Sequence, residues 1–261
     1  MNIVVCIKQV PGTTEVRIND ENNTLVREGV EGIINPFDTY AVEEGVRLKE
    51  RFGGKVTVLT MGPPQAEAAL RETIEVGADE GVLVSDRAFA GSDTLATSYI
   101  LSKAIEKIRE YDLVITGKQT MDGDTGQVGP GVSQRLGIPF VAYASSIEDI
   151  NGTAIRVKRM TDEGHEIVET NMPCVMSVSK EINVPRLPSL RGKMKAKSAQ
   201  LTIWSAHDLG VEDDKIGIAG SPTWVMHIFS PQRERESEIL EGDSKDKVDK
   251  LLQKLSEMKF V

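Results

Sequence analysis

Residues 117–131 of this chain, GKQTMDGDTGQVGPG, place glycines at 117, 123, 126, 129 and 131 between the apolar run Leu113-Val114-Ile115 and a helix-like segment that closes on Gln134-Arg135-Leu136-Gly137. A strand-to-helix turn of that composition suits a phosphate. Glycine admits positive φ and close backbone approach, and the N–H groups opening the next helix offer donors at the positive end of its dipole. Lys118 adds a cation and Thr125 a hydroxyl. The spacing matches neither G-x-x-x-x-G-K-[ST] nor G-x-G-x-x-G, so the turn points to anion binding without saying which nucleotide. Asp122 and Asp124 sit awkwardly beside an anion. Turn or capping hydrogen bonds are their expected roles, in preference to a metal-binding Asp-x-Asp pair.

The elements that must position this turn follow from hydrophobic periodicity. Ile3 to Ile7, Val56 to Met61, Gly81 to Ser85 and Leu113 to Thr116 are β-rich apolar runs, and segments of helical length separate the later ones. Asn35-Pro36 predicts a capped helix start with Gly53-Gly54 as its stop, and Pro63-Pro64 opens a helix ending at Gly77. Asp93 can cap a third, with Leu95, Tyr99, Ala104, Ile105 and Ile108 on one face. Near-continuous apolar strands joined by such helices imply a doubly wound α/β domain: a mostly parallel sheet with helices on both faces. Ligands of such sheets bind at the carboxyl ends of strands where the strand order reverses. The loops expected there are Lys8 to Thr14, residues 61–64, Ser85 to Asp93 and Gly117 to Gly131, with Asn35 to Asp38 beside them.

Beyond about residue 140 the pattern changes. Thr153 to Met160 and His165 to Thr170 alternate around Asp162-Glu163-Gly164 as a β-hairpin, and Cys174 to Val178 reads as a buried strand. Pro185 to Lys197 is basic, holds two prolines and lacks strong periodicity, which predicts an exposed loop. Lys247 to Phe260 carries one apolar helical stripe on an arm. The expected division is an α/β nucleotide-binding domain over 1–225, including the hairpin and a loop at about 183–197, and a C-terminal arm with a helix over 226–261.

Composition limits the function classes. With 261 residues and 39% hydrophobic content the chain can bury a large core, and a net charge of −9 argues against a general nucleic-acid or anionic-membrane binder. The Ile3 to Ile7 run is too short for a membrane span. Cys6 and Cys174 form neither a disulfide framework nor a metal-ligand spacing, and suit a reducing cytoplasm. His165, His207 and His227 lie outside the motifs and are expected to be structural or exposed.

Taken in order, Asn35-Pro36-Phe37-Asp38, Met61-Gly62-Pro63, Gly77-Ala78-Asp79, Gly117-Lys118-Gln119 and Asp122-Gly123-Asp124-Thr125-Gly126-Gln127-Val128-Gly129-Pro130 resemble the β subunit of electron-transferring flavoproteins. Arg191-Gly192-Lys193-Met194-Lys195-Ala196-Lys197 extends the resemblance over nearly the whole chain. It implies a heterodimer with an FAD-carrying α subunit, and an adenine nucleotide in this subunit's own crevice. The positions matching the family's nucleotide-binding segments are Cys6, Asn35, Pro36, Phe37, Asp38, Met61, Gly117, Lys118, Gln119, Thr120, Met121, Asp122, Gly123, Asp124, Thr125, Gly126, Gln127 and Val128.

The family divides over the occupant of that crevice: AMP as a structural ligand in one branch, and in the bifurcating branch a second FAD that accepts hydride from NADH. Residues 84–98, VSDRAFAGSDTLATS, resemble the bifurcating branch, with Arg87, Thr94 and Thr97 facing the flavin and a free helix start favouring negative charge on its ring. The other reading of this stretch is a solvent loop with Asp93 as N-cap. The bifurcating branch sends one electron to the α-subunit FAD and a dehydrogenase, and the other to ferredoxin or flavodoxin. The flavin would do the chemistry, and no side chain need act as nucleophile. Pro185 to Lys197 resembles the family's docking segment for acyl-CoA dehydrogenases and related flavin dehydrogenases. Leu190 is at the anchor position, ringed by Arg186, Arg191, Lys193 and Lys195. Arg191-Gly192 after the anchor departs from the proline-containing AMP-branch form. An adenine-nucleotide-binding α/β protein that stands alone is the alternative of a different class.

Overall fold

In the computed structural model the described residues are 1–12, 32–226 and 237–260, with the backbone of two short paired strands at 18–19 and 24–25. The first strand, β1 (Asn2–Ile7), shows why the domain is layered on both sides. Ile3, Val5 and Ile7 enter one hydrophobic cluster while Val4 and Cys6 enter another. Alternate side chains leave a strand on opposite faces, so a strand apolar at every position needs cover on both.

After β1 come β2 (Gln9–Pro11), β3 (Ile18–Asn19), β4 (Thr24–Leu25) and β5 (Gly32–Ile34), short strands paired as β2 with β5 and β3 with β4. The winding then proceeds through α1 (Pro36–Phe52), β6 (Lys55–Met61), a 3-10 turn and α2 (Glu67–Glu75), and β7 (Glu80–Val84). Next are α3 (Thr94–Ile108), β8 (Leu113–Gly117), α4 (Val128–Leu136), β9 (Phe140–Asn151), the hairpin β10 (Ala154–Thr161) and β11 (Gly164–Asn171), and β12 (Cys174–Val178). The larger of two compact units, Met1–Met226, closes with α5 (Leu190–Ser198), β13 (Thr202–Trp204) and α6 (Ala206–Leu209).

Among the described residues the main sheet has nine strands in the order β11-β10-β9-β12-β8-β1-β6-β7-β13. The run from β9 to β13 is parallel, and β10 and β11 extend it antiparallel. The chain steps outward from β1 through β6 to β7, then returns to β8 on the other side of β1. The strand order therefore reverses between β1 and β8, and the carboxyl ends of these strands are where such a sheet takes its ligands.

Three elements depart from the sequence expectation. β9 escapes detection because it changes partner midway: Phe140 to Ala144 run parallel to β12, and the remainder pairs antiparallel with β10, with register shifts and Tyr143 at φ 58°. β13 is a three-residue edge strand, too short to show a period. The stretch predicted as an exposed loop over 185–197 contains α5, capped by Ser189, whose hydroxyl accepts the Gly192 N–H at 3.0 Å. Ala196 is its one buried residue, so a contact of a single turn leaves no apolar period to read.

The second unit, 227–261, is described over 237–260. It holds α7 (Ser244–Glu257), capped by the Asp243 carboxylate, with Val248, Leu251 and Leu252 exposed. Residues 227–236 of the expected arm, His227 among them, and residues 13–14 of the expected first loop lie outside the described residues.

Candidate functional site

The floor of the crevice is set by Asp38 in the first turn of α1. Its side chain is buried and accepts the Lys8 N–H at 2.7 Å and a hydrogen bond from the Gly117 backbone, tying the exits of β1 and β8 together. Gly117 must be glycine because a Cβ there would strike the Asp38 carboxylate and stand 2.8 Å from the Phe37 backbone. Burial pushes the Asp38 carboxyl up to about 7, against the pull of its hydrogen-bond donors and Lys8. Cys6 lies in the same wall, where burial, and then the Asp38 charge, raise its thiol to about 12. That thiol is an inert apolar surface at neutral pH.

Asn35 was expected to cap α1, and its side chain does not: the cap position carries no side-chain hydrogen bond. The carboxamide instead grips the glycine-rich turn. Nδ2 donates to the Gln119 carbonyl at 2.8 Å and Oδ1 accepts the Met121 N–H at 3.1 Å, while the Asn35 N–H donates to the Lys8 carbonyl at 2.9 Å. Fully buried, it replaces the water that would satisfy those backbone groups. Pro36 and Phe37 follow, half-buried, at the crevice edge.

The turn is fixed from within. Asp124, at φ 55°, accepts from the Gln119 side chain, and its N–H donates to the Thr120 carbonyl at 2.9 Å. Asp122 pairs with Lys8, Nζ to Oδ2 at 2.5 Å. Partial burial raises the Asp122 carboxyl, but the Lys8 hydrogen bond and charge outweigh it and hold the group below the usual carboxylate range. Each of the two awkward acids is thus neutralised or spent on the turn. Lys8 is the residue sequence reasoning missed; its signal was a lysine placed directly after the first strand. Thr125 is exposed and Gly126 sits at φ 62°.

At the start of α4, Gln127 gives no side-chain cap, and among the described residues the N–H groups of Gly126, Val128 and Gly129 have no acceptor in the chain. Such first-turn donors can meet solvent or an anion, and the helix dipole favours the anion. Gly129 packs so closely that a Cβ would stand 3.0 Å from the Thr116 hydroxyl, a buried group with no hydrogen-bond partner among the described residues.

The facing wall comes from β7 and α3. The expectation of a free helix start on α3 is corrected: Asp93 Oδ1 accepts the N–H groups of Leu95 and Ala96 at 2.9 and 3.1 Å, so this end is closed. Thr94 Oγ1 donates to Gln127 Oε1 at 3.0 Å, which joins this wall to the end of the glycine turn. Thr97 is half-buried, with its N–H on the Asp93 carbonyl; Arg87 is exposed, and Met61 lies half-buried at the end of β6.

Lys118, at the start of the glycine-rich turn, stacks on an aromatic ring. Its Nζ lies 5.2 Å from the centre of the Tyr143 ring, and both line a cavity of about 560 Å³ with Phe37, Arg159 and Lys180. The partner change in β9 turns Tyr143 toward this space, so no short sequence window announces it.

The basic ring expected around Leu190 is only half present. Leu190 is 78% exposed and Arg191 and Lys193 stand in solvent. Arg186 instead folds onto α1, bonded to Glu43 at 2.8 Å and Glu50 at 2.6 Å. Those acids lie seven residues apart on one helix face, within reach of one guanidinium. Lys195 turns back to the Ala78 carbonyl at 2.8 Å and to Asp79 at 3.6 Å. Both cations hold the segment on the domain. His165 and His207 are exposed, and no helix among the described residues is long and apolar enough to cross a membrane.

A nucleotide-type crevice at the switch point of a doubly wound sheet is the class that fold and site define. Residues 22–209 match the electron transfer flavoprotein domain. Over 257 residues, 98% of each chain, the sequence is 49% identical to the electron transfer flavoprotein subunit beta of Thermoanaerobacterium thermosaccharolyticum. It is 47% identical to the protein FixA of Azotobacter vinelandii, over 94% of this chain and 90% of that one. It is 43% identical, over the full length of both, to the caffeyl-CoA reductase-Etf complex subunit CarD of Acetobacterium woodii. The chain belongs to the electron transfer flavoprotein family, and its similarity is to the β subunit.

Proposed function

We propose that this chain pairs with a flavin-carrying α subunit and holds FAD in the crevice between β1 and β8. It would receive hydride from NADH there and divide the electrons between the α-subunit FAD and a low-potential acceptor such as ferredoxin or flavodoxin. The observation that carries this reading is the contrast between two helix starts on the crevice: α4 is open, and α3 is capped and joined to it through Thr94 and Gln127. Open donors suit a pyrophosphate. The joined wall beyond them offers hydroxyls to a ligand longer than a mononucleotide.

The residues present fit a dinucleotide. Gly126, Val128 and Gly129 N–H groups would hold the phosphates, Asn35 to Phe37 would border the adenosine, and Thr94, Thr97 and Arg87 would face the distal ring. When bound, FAD supplies the hydride and single-electron chemistry. The chain's own part is to bind, orient and exclude water: Asn35 fixes the turn, Lys8 neutralises Asp122, and Asp38 sets the distance between the strand exits. The Acetobacterium woodii relative is a subunit of a reductase-Etf complex, which supports a partner dehydrogenase for this chain too, met at Leu190 on α5. A cytoplasmic setting agrees with two buried thiols that form no disulfide.

A second reading keeps the same turn but places AMP there as a structural ligand, which would use the α4 donors and leave Thr97 and Arg87 without a ligand contact. Co-expression with the α subunit and extraction of bound nucleotides separates the two. Two FAD per heterodimer supports the first reading, and one FAD with one AMP supports the second. A flavin-free monomer that turns over ATP would sink both.

A further inference from the structure

Residues 216–223, which no sequence motif singled out, lie against the α3 side of the crevice. The Gly217 N–H donates to Ser92 Oγ at 3.0 Å, and the Asp93 N–H donates to Ser221 Oγ at 2.8 Å. Asp93 Oδ2, the oxygen not used to cap α3, accepts the Thr223 N–H at 3.1 Å and the Thr223 hydroxyl at 2.8 Å. Ile216 anchors the segment in the core beside Phe89. Partial burial raises the Asp93 carboxyl, but Thr223 and the two α3 amides outweigh it and hold the group below the usual carboxylate range.

Asp93 therefore divides its two oxygens between two duties, one toward α3 and one toward the segment that leads out of the domain. The next residue, Thr94, holds Gln127 at the end of the glycine turn. Three stretches distant in sequence meet within two residues: 216–223, the 85–93 loop and the end of the phosphate turn.

We propose that the Asp93–Thr223 pair is a positioning latch that sets the far end of the crevice and so selects a dinucleotide over a mononucleotide. The inference rests on the FAD reading given above. The latch makes no hydrogen bond to the α4 donors or to Asn35 and reaches the turn only through Thr94 and Gln127, so the adenylate end depends on it least.

Asp93→Asn separates the two duties. Asparagine caps a helix as well as aspartate, but its amide sets N–H donors against the donors of Thr223. In the heterodimer with the α subunit, Asp93→Asn is expected to lose the second FAD on dilution about tenfold more readily than the unaltered complex. AMP affinity, measured by titration calorimetry on nucleotide-depleted complex, should stay unchanged, and amide exchange should quicken at residues 91–93 and 217–223. Thr223→Val, an exposed and milder change, should give the same pattern at smaller amplitude. Unaltered exchange in both variants would overturn the latch whatever occupies the crevice. Equal loss of FAD and AMP, or loss of neither, would overturn its selective role. AMP in place of FAD in the unaltered complex would instead refute the FAD reading itself, and the selective role with it.

Discussion

Asn35 and Met121 stand 86 residues apart in the chain, yet Asn35 Oδ1 accepts the Met121 N–H at 3.1 Å and, with the Gln119 contact, clamps the glycine-rich turn to the start of α1. Replacing Asn35 with leucine, similar in volume, would leave the part-buried Met121 N–H and Gln119 carbonyl without their partner. Destabilisation of about 2–3 kcal/mol is expected in urea denaturation, together with loss of β-site nucleotide. A leucine variant of unchanged stability and nucleotide content would show that the clamp has no such role.

Gly126→Val tests the turn directly. The glycine is at φ 62°, where a β-branched residue is strained, and a Cβ there would lie 3.3 Å from the Lys118 carbonyl. The substitution should empty the crevice while the domain still folds, read as nucleotide released per heterodimer beside the circular dichroism spectrum. Full nucleotide content would move the phosphate site elsewhere.

Asp38 gives the chain a pH dependence of unusual sign. Its carboxyl rises from 3.8 to about 7 on folding, so between those values the folded chain keeps a proton that the unfolded chain releases. The stabilisation is complete below the unfolded value and is lost as pH rises through the folded one, at up to about 1.4 kcal/mol per pH unit. Asp38→Asn should remove that component from the stability profile between pH 4 and 7. Superimposable slopes for the two proteins would assign the proton to another group.

Leu190 and Arg186 are four residues apart and predict opposite outcomes. Leu190→Ala removes an exposed side chain, so stability should change by less than about 0.5 kcal/mol while electron delivery to the dehydrogenase slows. Arg186→Ala strips the nearly buried Glu43 of one of its two arginines. It should cost about 2 kcal/mol, a figure reduced for the guanidinium's partial exposure, and slow delivery only through loosening of the segment. Stopped-flow flavin oxidation beside thermal melts distinguishes them; equal effects on both readouts would refute the split.

The continuous apolar strands β1, β6, β7, β8 and β12, the proline-started helix after Asn35 and the Asp93 cap were legible because each is written in a local window. Period, cap and stop all lie within a dozen residues there. β9 was not, because its two halves obey different neighbours, and α5 was not, because one buried alanine leaves no stripe.

The glycine-rich turn was legible for the same local reason, since glycine spacing and a following helix suffice to mark an anion cradle. What that turn is fastened to was not. Asn35 reads as a cap and becomes a clamp; Lys118 reads as a phosphate cation and lies by Tyr143; Arg186 reads as a docking charge and is bound to Glu43 and Glu50. The sequence by itself determined the continuous apolar strands, the glycine-rich turn with its following helix, and which family the order of motifs resembles. Only the tertiary structure decided which polar groups spend their hydrogen bonds on the protein and which, like the first amides of α4, find no acceptor among the described residues. Partners for those bonds come from parts of the chain dozens of residues away, and the winding of the sheet alone brings them within reach.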